Sequence, residues 1–228
     1  MTLRVDTPAP QPATAASAAV PDVPFSPGSG RRGAVSPATM TALLDAGEAC
    51  LLQVGLRRTT LSDVARAAGV SRMTVYRAWS DVTALLSDVL SRRLATVISE
   101  VLRTTPEGTG RERLVHAVAT SVLRLSREPL VIRLLEIDPE ALLPFVVDRF
   151  GSAQLLAIGT MELLLREGIA DGSVATDDPQ LTAQCLMLTA QSHLFSARVV
   201  RARVDLAVMA DELRRLLDGW LRPRDAAA

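Results

Sequence analysis

Lysine is absent from the 228 residues, aromatic side chains make up only 3% of them, and there are two cysteines. Arginine therefore carries every fixed positive side-chain charge, a bias that fits a GC-rich genome and has no bearing on mechanism. Scarce rings argue against a single-strand nucleic-acid binder, which stacks successive bases on aromatic faces. Cys50 and Cys185 sit in separate helical apolar patterns, which argues against a structural disulfide and fits a reducing, cytoplasmic compartment. The N-terminus lacks a basic region followed by an apolar stretch, so no secretory signal is expected. Residues 179–197 carry no charge, but Gln180, Gln184, Gln191, Ser192 and His193 interrupt them, so no membrane span is expected.

Chemistry-bearing motifs are missing as well. There is no glycine-rich phosphate loop, no Cys–His pair and no nucleophile motif. His116 and His193 have no second ligand at metal spacing, so neither a metal nor a cofactor is expected. Glu136, Asp138 and Glu140 cluster around Pro139, where helix ends commonly collect acids. An enzyme is therefore the weakest reading.

What is present is leucine, alanine and valine at helical spacing, within an apolar content of 48%, which predicts an all-α chain. Residues 1–37 hold seven of the thirteen prolines among alanine, serine and glycine, and read as a disordered Pro/Ala-rich tail. Helix one is expected over 38–54, with Met40, Leu43, Leu44, Gly47, Leu51 and Val54 on one face and Gly55 as its stop. Two short helices follow, capped by Thr60 and Ser71, with Gly69 in the turn between them. A long fourth helix starts after Ser80–Asp81 and runs to the break at 104–110. Further helices are expected over 111–127, 130–137, 139–169 with a kink near Pro144, 179–201 and 204–221. The domains are expected to be 38–84, a three-helix unit, and 85–228, a larger helical unit.

Net charge is zero overall but unevenly placed. Residues 31–93 contain nine arginines against five acids, whereas the remainder is acidic. One end of the chain therefore suits phosphate.

The informative stretch runs from Gly55 to Trp79. A helix-turn-helix needs a small residue at the helix crossing, here Ala65, and a turn residue that accepts left-handed backbone, here Gly69. It also needs apolar anchors, here Leu61, Val64, Val70 and Val75. The second helix then projects Arg72, Met73, Thr74, Tyr76 and Arg77 toward a major groove, where arginine can fork onto guanine. Trp79 reads as core packing, and Thr60 as a helix cap whatever else it does.

Fourteen residues carry a resemblance to the DNA-binding unit of the TetR family of bacterial regulators: Gly55, Thr59, Thr60, Asp63, Val64, Ala65, Ala68, Gly69, Val70, Ser71, Thr74, Tyr76, Trp79 and Leu85. The likeness is specific over 38–90 and only architectural beyond. It implies a cytoplasmic homodimer that binds a double-stranded DNA operator, most simply as a repressor, and answers to a small-molecule effector.

By that resemblance, Thr60 and Tyr76 meet phosphates, Thr74 sits at the groove, and Arg72, Met73 and Arg77 read bases, with Thr59 in the same set. Val82 stands where family members often have lysine, and Arg31 and Arg32 are the candidates to replace that phosphate contact. His116, Gln184, Met187 and Gln191 are the candidate polar and apolar lining of an effector pocket. Leu194, Leu206, Met209, Leu213, Leu216, Leu217 and Trp220 are the candidate dimer face. An architectural DNA-binding protein without a sensor is the alternative, and an internal cavity among helices four to eight distinguishes the two.

Overall fold

The computed structural model describes residues 35–142 and 150–223. Among these residues there are nine α-helices, one 3-10 turn and no strands. The helices are α1 Pro37–Val54, α2 Leu61–Ala67, α3 Arg72–Ala78, α4 Val82–Thr104, α5 Gly110–Leu125, α6 Pro129–Ile137, α7 Ser152–Ala170, α8 Pro179–Val200 and α9 Leu206–Leu221, with the 3-10 turn Pro139–Leu142 between α6 and α7.

Most helix starts are fixed by a side chain that takes up an otherwise unpaired backbone N–H. Ser36, Thr60, Ser71, Asp81 and Asp178 accept from Thr39, Asp63, Thr74, Ala84 and Leu181 at 2.8–3.2 Å. Thr109 and Glu112 form a reciprocal capping box at the head of α5.

The expected helix over 139–169 is corrected. Pro139–Leu142 is a 3-10 turn, and α7 begins only at Ser152. Gly151 is extended, and its N–H is bound by the Gln154 side chain at 2.7 Å, so a fresh helix starts there. Apolar spacing alone does not reveal such a restart. Pro144 lies outside the described residues, as do Arg31, Arg32 and nearly all of the 1–37 tail.

Two hydrophobic cores form. The first joins α1, α2, α3 and the start of α4 through Leu43, Leu51, Val64, Val75, Leu85 and Val89, and α6 adds Leu130 and Leu134. The second gathers the later part of α4 with α5, α7, α8 and α9. Each fully buried leucine contributes about 1.5–3 kcal/mol of transfer free energy. Helix α4 threads both cores along its length, with Val89 in one and Val97 in the other.

In the second core, α5 and α7 meet backbone to backbone. A β-carbon on Gly110 would lie 2.2 Å from the Gly168 nitrogen. Among the described residues no helix is long and apolar enough to cross a membrane, and both cysteines are free.

Candidate nucleic-acid interface and internal cavity

The helix-turn-helix is built as its residues require. Gly69 adopts φ +67°, and Val70 donates its N–H back to Ala65 at 3.0 Å, closing the turn. Val64, Ala65 and Val75 are buried at the crossing. Trp79 is buried too, and its indole N–H donates to Asp88 at 2.9 Å, pinning the end of α3 to α4.

Those anchors fix which way α3 faces. Val75 and Ala78 point inward, while Arg72, Met73, Tyr76 and Arg77 point to solvent, with Thr74 at the margin. Met73 is 64% and Tyr76 54% exposed, a costly display of apolar surface unless something covers it. Among the described residues Arg72 and Arg77 form no ion pair, whereas Arg66 is tied to Asp63 at 2.6 Å.

Thr60 is exposed, but its hydroxyl both caps α2 and donates to Asp63 at 2.6 Å. That hydroxyl is the main cause holding the Asp63 carboxyl below its ordinary range. Thr59 is corrected as a DNA contact: it is 5% exposed and its hydroxyl donates to the Gly55 carbonyl at 2.7 Å, so it fixes the loop instead. Val82 packs against the first core and offers no charge at the start of α4.

That loop is also where α6 meets α1 and α2. Asp138, buried at the end of α6, accepts the Leu56 N–H at 2.8 Å. Arg57 pairs with Glu140 at 2.5 Å, and Arg133 donates to the Gln53 carbonyl at 3.3 Å. The acids around Pro139 thus fasten two elements together, a role their clustering in sequence did not suggest.

Between α4, α5, α6, α7 and α8 lies a cavity of about 170 Å³, lined almost wholly by carbon. Met187 and Gln191 are on its wall. Gln184 and His116 are not and are corrected as lining residues. Gln184 lies a turn before Met187, and His116 lies near Arg214 of α9, its ring 3.4 Å from Thr120 one turn along α5. Burial first, then the charges of Arg214 and Arg124, push the His116 pKa down. Sequence reasoning missed Gln154, which binds Gln191 on the wall; its signal is a lone long polar side chain in the otherwise apolar first turns of α7.

The expected dimer face also divides. Leu213 and Leu217 are 1% and 0% exposed within the subunit's own core, so these two are corrected, while Leu194 is half-buried on the cavity wall. Leu206 and Met209 are partly buried, while Leu216 and Trp220 remain exposed. On α8, Leu181, Leu188 and Val199 form an exposed stripe that was not anticipated by residue. No metal-ligating cluster occurs among the described residues.

An exposed, arginine-bearing second helix on a tight three-helix unit, joined by a shared long helix to a hollow helical body, defines a helix-turn-helix transcriptional regulator. Residues 43–89 match the family model for bacterial regulatory proteins of the tetR family. HTH-type transcriptional regulators of Mycobacterium bovis and Mycobacterium tuberculosis are 33% identical over 179 residues, covering 78% of this chain and 92% of theirs. The chain belongs to the TetR family, whose members regulate transcription and are not enzymes.

Solved structures agree in fold. The Rhodococcus erythropolis TetR-family repressor QsdR superposes with a TM-score of 0.64 at 18% identity, over 84% of this chain and 100% of its own. The Bacillus subtilis regulator FadR, solved with stearoyl-CoA, gives 0.58 at 15% over 80% and 100%. The Stenotrophomonas maltophilia repressor SmeT, which is also known as a complex with triclosan, gives 0.58 at 24% over 84% and 94%.

Proposed function

We propose that this chain is a cytoplasmic, ligand-responsive repressor that binds a palindromic operator as a homodimer, with 38–84 as its DNA-binding unit and 85–228 as its sensing and dimerisation unit. The outer face of α3 carries the reading, because it presents Met73 and Tyr76 to solvent beside two arginines that form no ion pair among the described residues. Two such helices about 34 Å apart would enter successive major grooves. Arg72 and Arg77 would fork onto guanine, Met73 would touch a thymine methyl, and Tyr76 and Thr60 would hold phosphates that set the register.

The mate is a second copy. The α8 stripe, with Leu216 and Trp220 of α9, leaves apolar surface uncovered beside a helix that lacks charge over 179–197. The cavity supports sensing over a purely architectural role, since an architectural part needs no hollow core. Structural likeness to regulators solved with stearoyl-CoA and triclosan supports it further.

Release follows from shared walls. Val131 and Leu134 of α6, and Leu142 beyond it, line the cavity, while Asp138 and Glu140 between them hold the loop before α2. A ligand that displaces α6 changes the seating of the helix-turn-helix, and it acts only to the extent that it prefers the displaced shape.

Selecting double-stranded DNA from a random library, then titrating the selected duplex by fluorescence anisotropy at several salt concentrations, tests this. Sequence-specific, salt-sensitive binding with two subunits per site is expected. Binding without sequence preference, or with one subunit per site, would sink it.

A further inference from the structure

We infer that the cavity takes a neutral, elongated, lipophilic molecule with one hydrogen-bond-accepting oxygen, and that the Gln191 side-chain N–H meets that oxygen. This rests on the sensing role proposed above. The argument begins at a backbone group whose direction is not open to choice. The Gly151 N–H can only donate, and it does so to Oε1 of Gln154 at 2.7 Å. Gln154 must therefore turn its Nε2 the other way, where it donates to Oε1 of Gln191. The Gln191 oxygen is then already engaged by one donor.

What remains is the Gln191 carboxamide nitrogen. Gln191 is 6% exposed and on the cavity wall, and its Nε2 has no acceptor among the described residues. A donor on an apolar cavity wall with no acceptor among the described residues gains a partner when a ligand oxygen supplies one, so such an oxygen is favoured. The polarity of the chain also selects the partner. A ligand group that only donates must share an oxygen that Gln154 already engages, whereas a ketone, ester or ether oxygen meets an N–H with no acceptor among the described residues.

Charge and shape narrow the class. Leu90, Leu94, Val118, Val122, Met161 and Leu194 present hydrocarbon. The only charged wall residue among those described, Arg93, is held by Glu128 at 2.6 Å. Among the described residues an ionised ligand group would lose its water without gaining an unspent counter-charge. The hydroxyl residues on the wall, Ser87, Ser121, Ser152 and Thr160, are only partly buried, and Thr160 already donates to the Leu156 carbonyl at 3.0 Å. The wall follows α4 from Ser87 to Leu102, about 22 Å at roughly 1.5 Å per residue, so the space is long rather than round.

The test uses full-length protein loaded with the neutral dye N-phenyl-1-naphthylamine, displaced by four probes of similar length. These are 2-nonanone, 2-methyl-1-nonene, which replaces the carbonyl oxygen by a methylene, nonanoate and nonylammonium. The ketone is expected to displace dye roughly five-fold better than the alkene, and both ions about ten-fold worse than the ketone. In Gln191→Leu the ketone loses its advantage while the alkene is unchanged.

An ion matching the ketone overturns the neutral class. Equal ketone and alkene in the wild type, or a ketone advantage that survives Gln191→Leu, overturns the role of Gln191. Gln191→Met serves the same purpose if the leucine variant gives no cooperative melt, and the wild-type ratios stand without any variant. No uptake of dye or of any probe by the wild type removes the sensing role itself, a different failure from a wrong order among probes.

Discussion

A guanidinium tied to a carboxylate has less to offer DNA than one that is not, and α2 and α3 contain both kinds. Arg66 is paired with Asp63, while Arg77 has no such partner among the described residues. Arg77→Ala should weaken the selected duplex by about 10- to 100-fold and relax its sequence preference, corresponding to about 1–3 kcal/mol. Arg66→Ala should cost far less, and anisotropy showing equal losses for the two would count against α3 as the reader. A second residue sets a pH dependence. Burial and neighbouring arginines depress the His116 pKa, so the unfolded chain takes up its proton first as pH falls. The stability linked to neutral His116 is full above the ordinary value of about 6.5 and is lost as pH falls below it toward the folded pKa. The difference in urea midpoint between wild type and His116→Gln should therefore shrink from pH 7.5 to pH 5.5, and a constant difference would refute the assignment.

At the level of helices, two glycines serve different needs. Gly69 is required by its positive φ and has open space around its α-carbon, so Gly69→Ala should cost about 1–2 kcal/mol of stability. Gly110 is required by the α5–α7 crossing, where a methyl would meet the Gly168 backbone. Gly110→Ala should cost about 3 kcal/mol or more, since neither helix can yield cheaply, and chemical denaturation should separate the two variants in that order. The same contrast explains what was legible in sequence. Caps and turn glycines act within three or four residues, so Thr60, Ser71, Asp81 and Gly69 were readable, and with them α1 to α4. The restart at Gly151 depends on Gln154 reaching back to it, and neither that bond nor the Gln154–Gln191 contact across 37 positions has a periodic signature. Leu213 and Leu217 were assigned to the dimer face because an amphipathic stripe shows that a face is covered and not whether its own subunit or another covers it. Thr59 was grouped with Thr60 as its neighbour, yet one residue of loop turns the two hydroxyls in opposite directions.

For the whole molecule, the uncovered stripe on α8 predicts the assembly. Leu188 is exposed in the single subunit, so Leu188→Arg should leave the fold intact while shifting the protein to monomers. Light scattering with size-exclusion chromatography at micromolar protein checks this, and an unchanged dimer would place the mating surface elsewhere. The chain has two tryptophans, and they stand at the two joints such a switch depends on. Trp79 is enclosed against Asp88 where α3 meets α4, and Trp220 looks outward from α9. Their emission should differ in colour and in access to quenchers. The protein thus carries its own pair of optical gauges: with Trp220→Phe the remaining signal would follow the proposed reading head, and with Trp79→Phe it would follow the proposed pairing of subunits, with no dye attached.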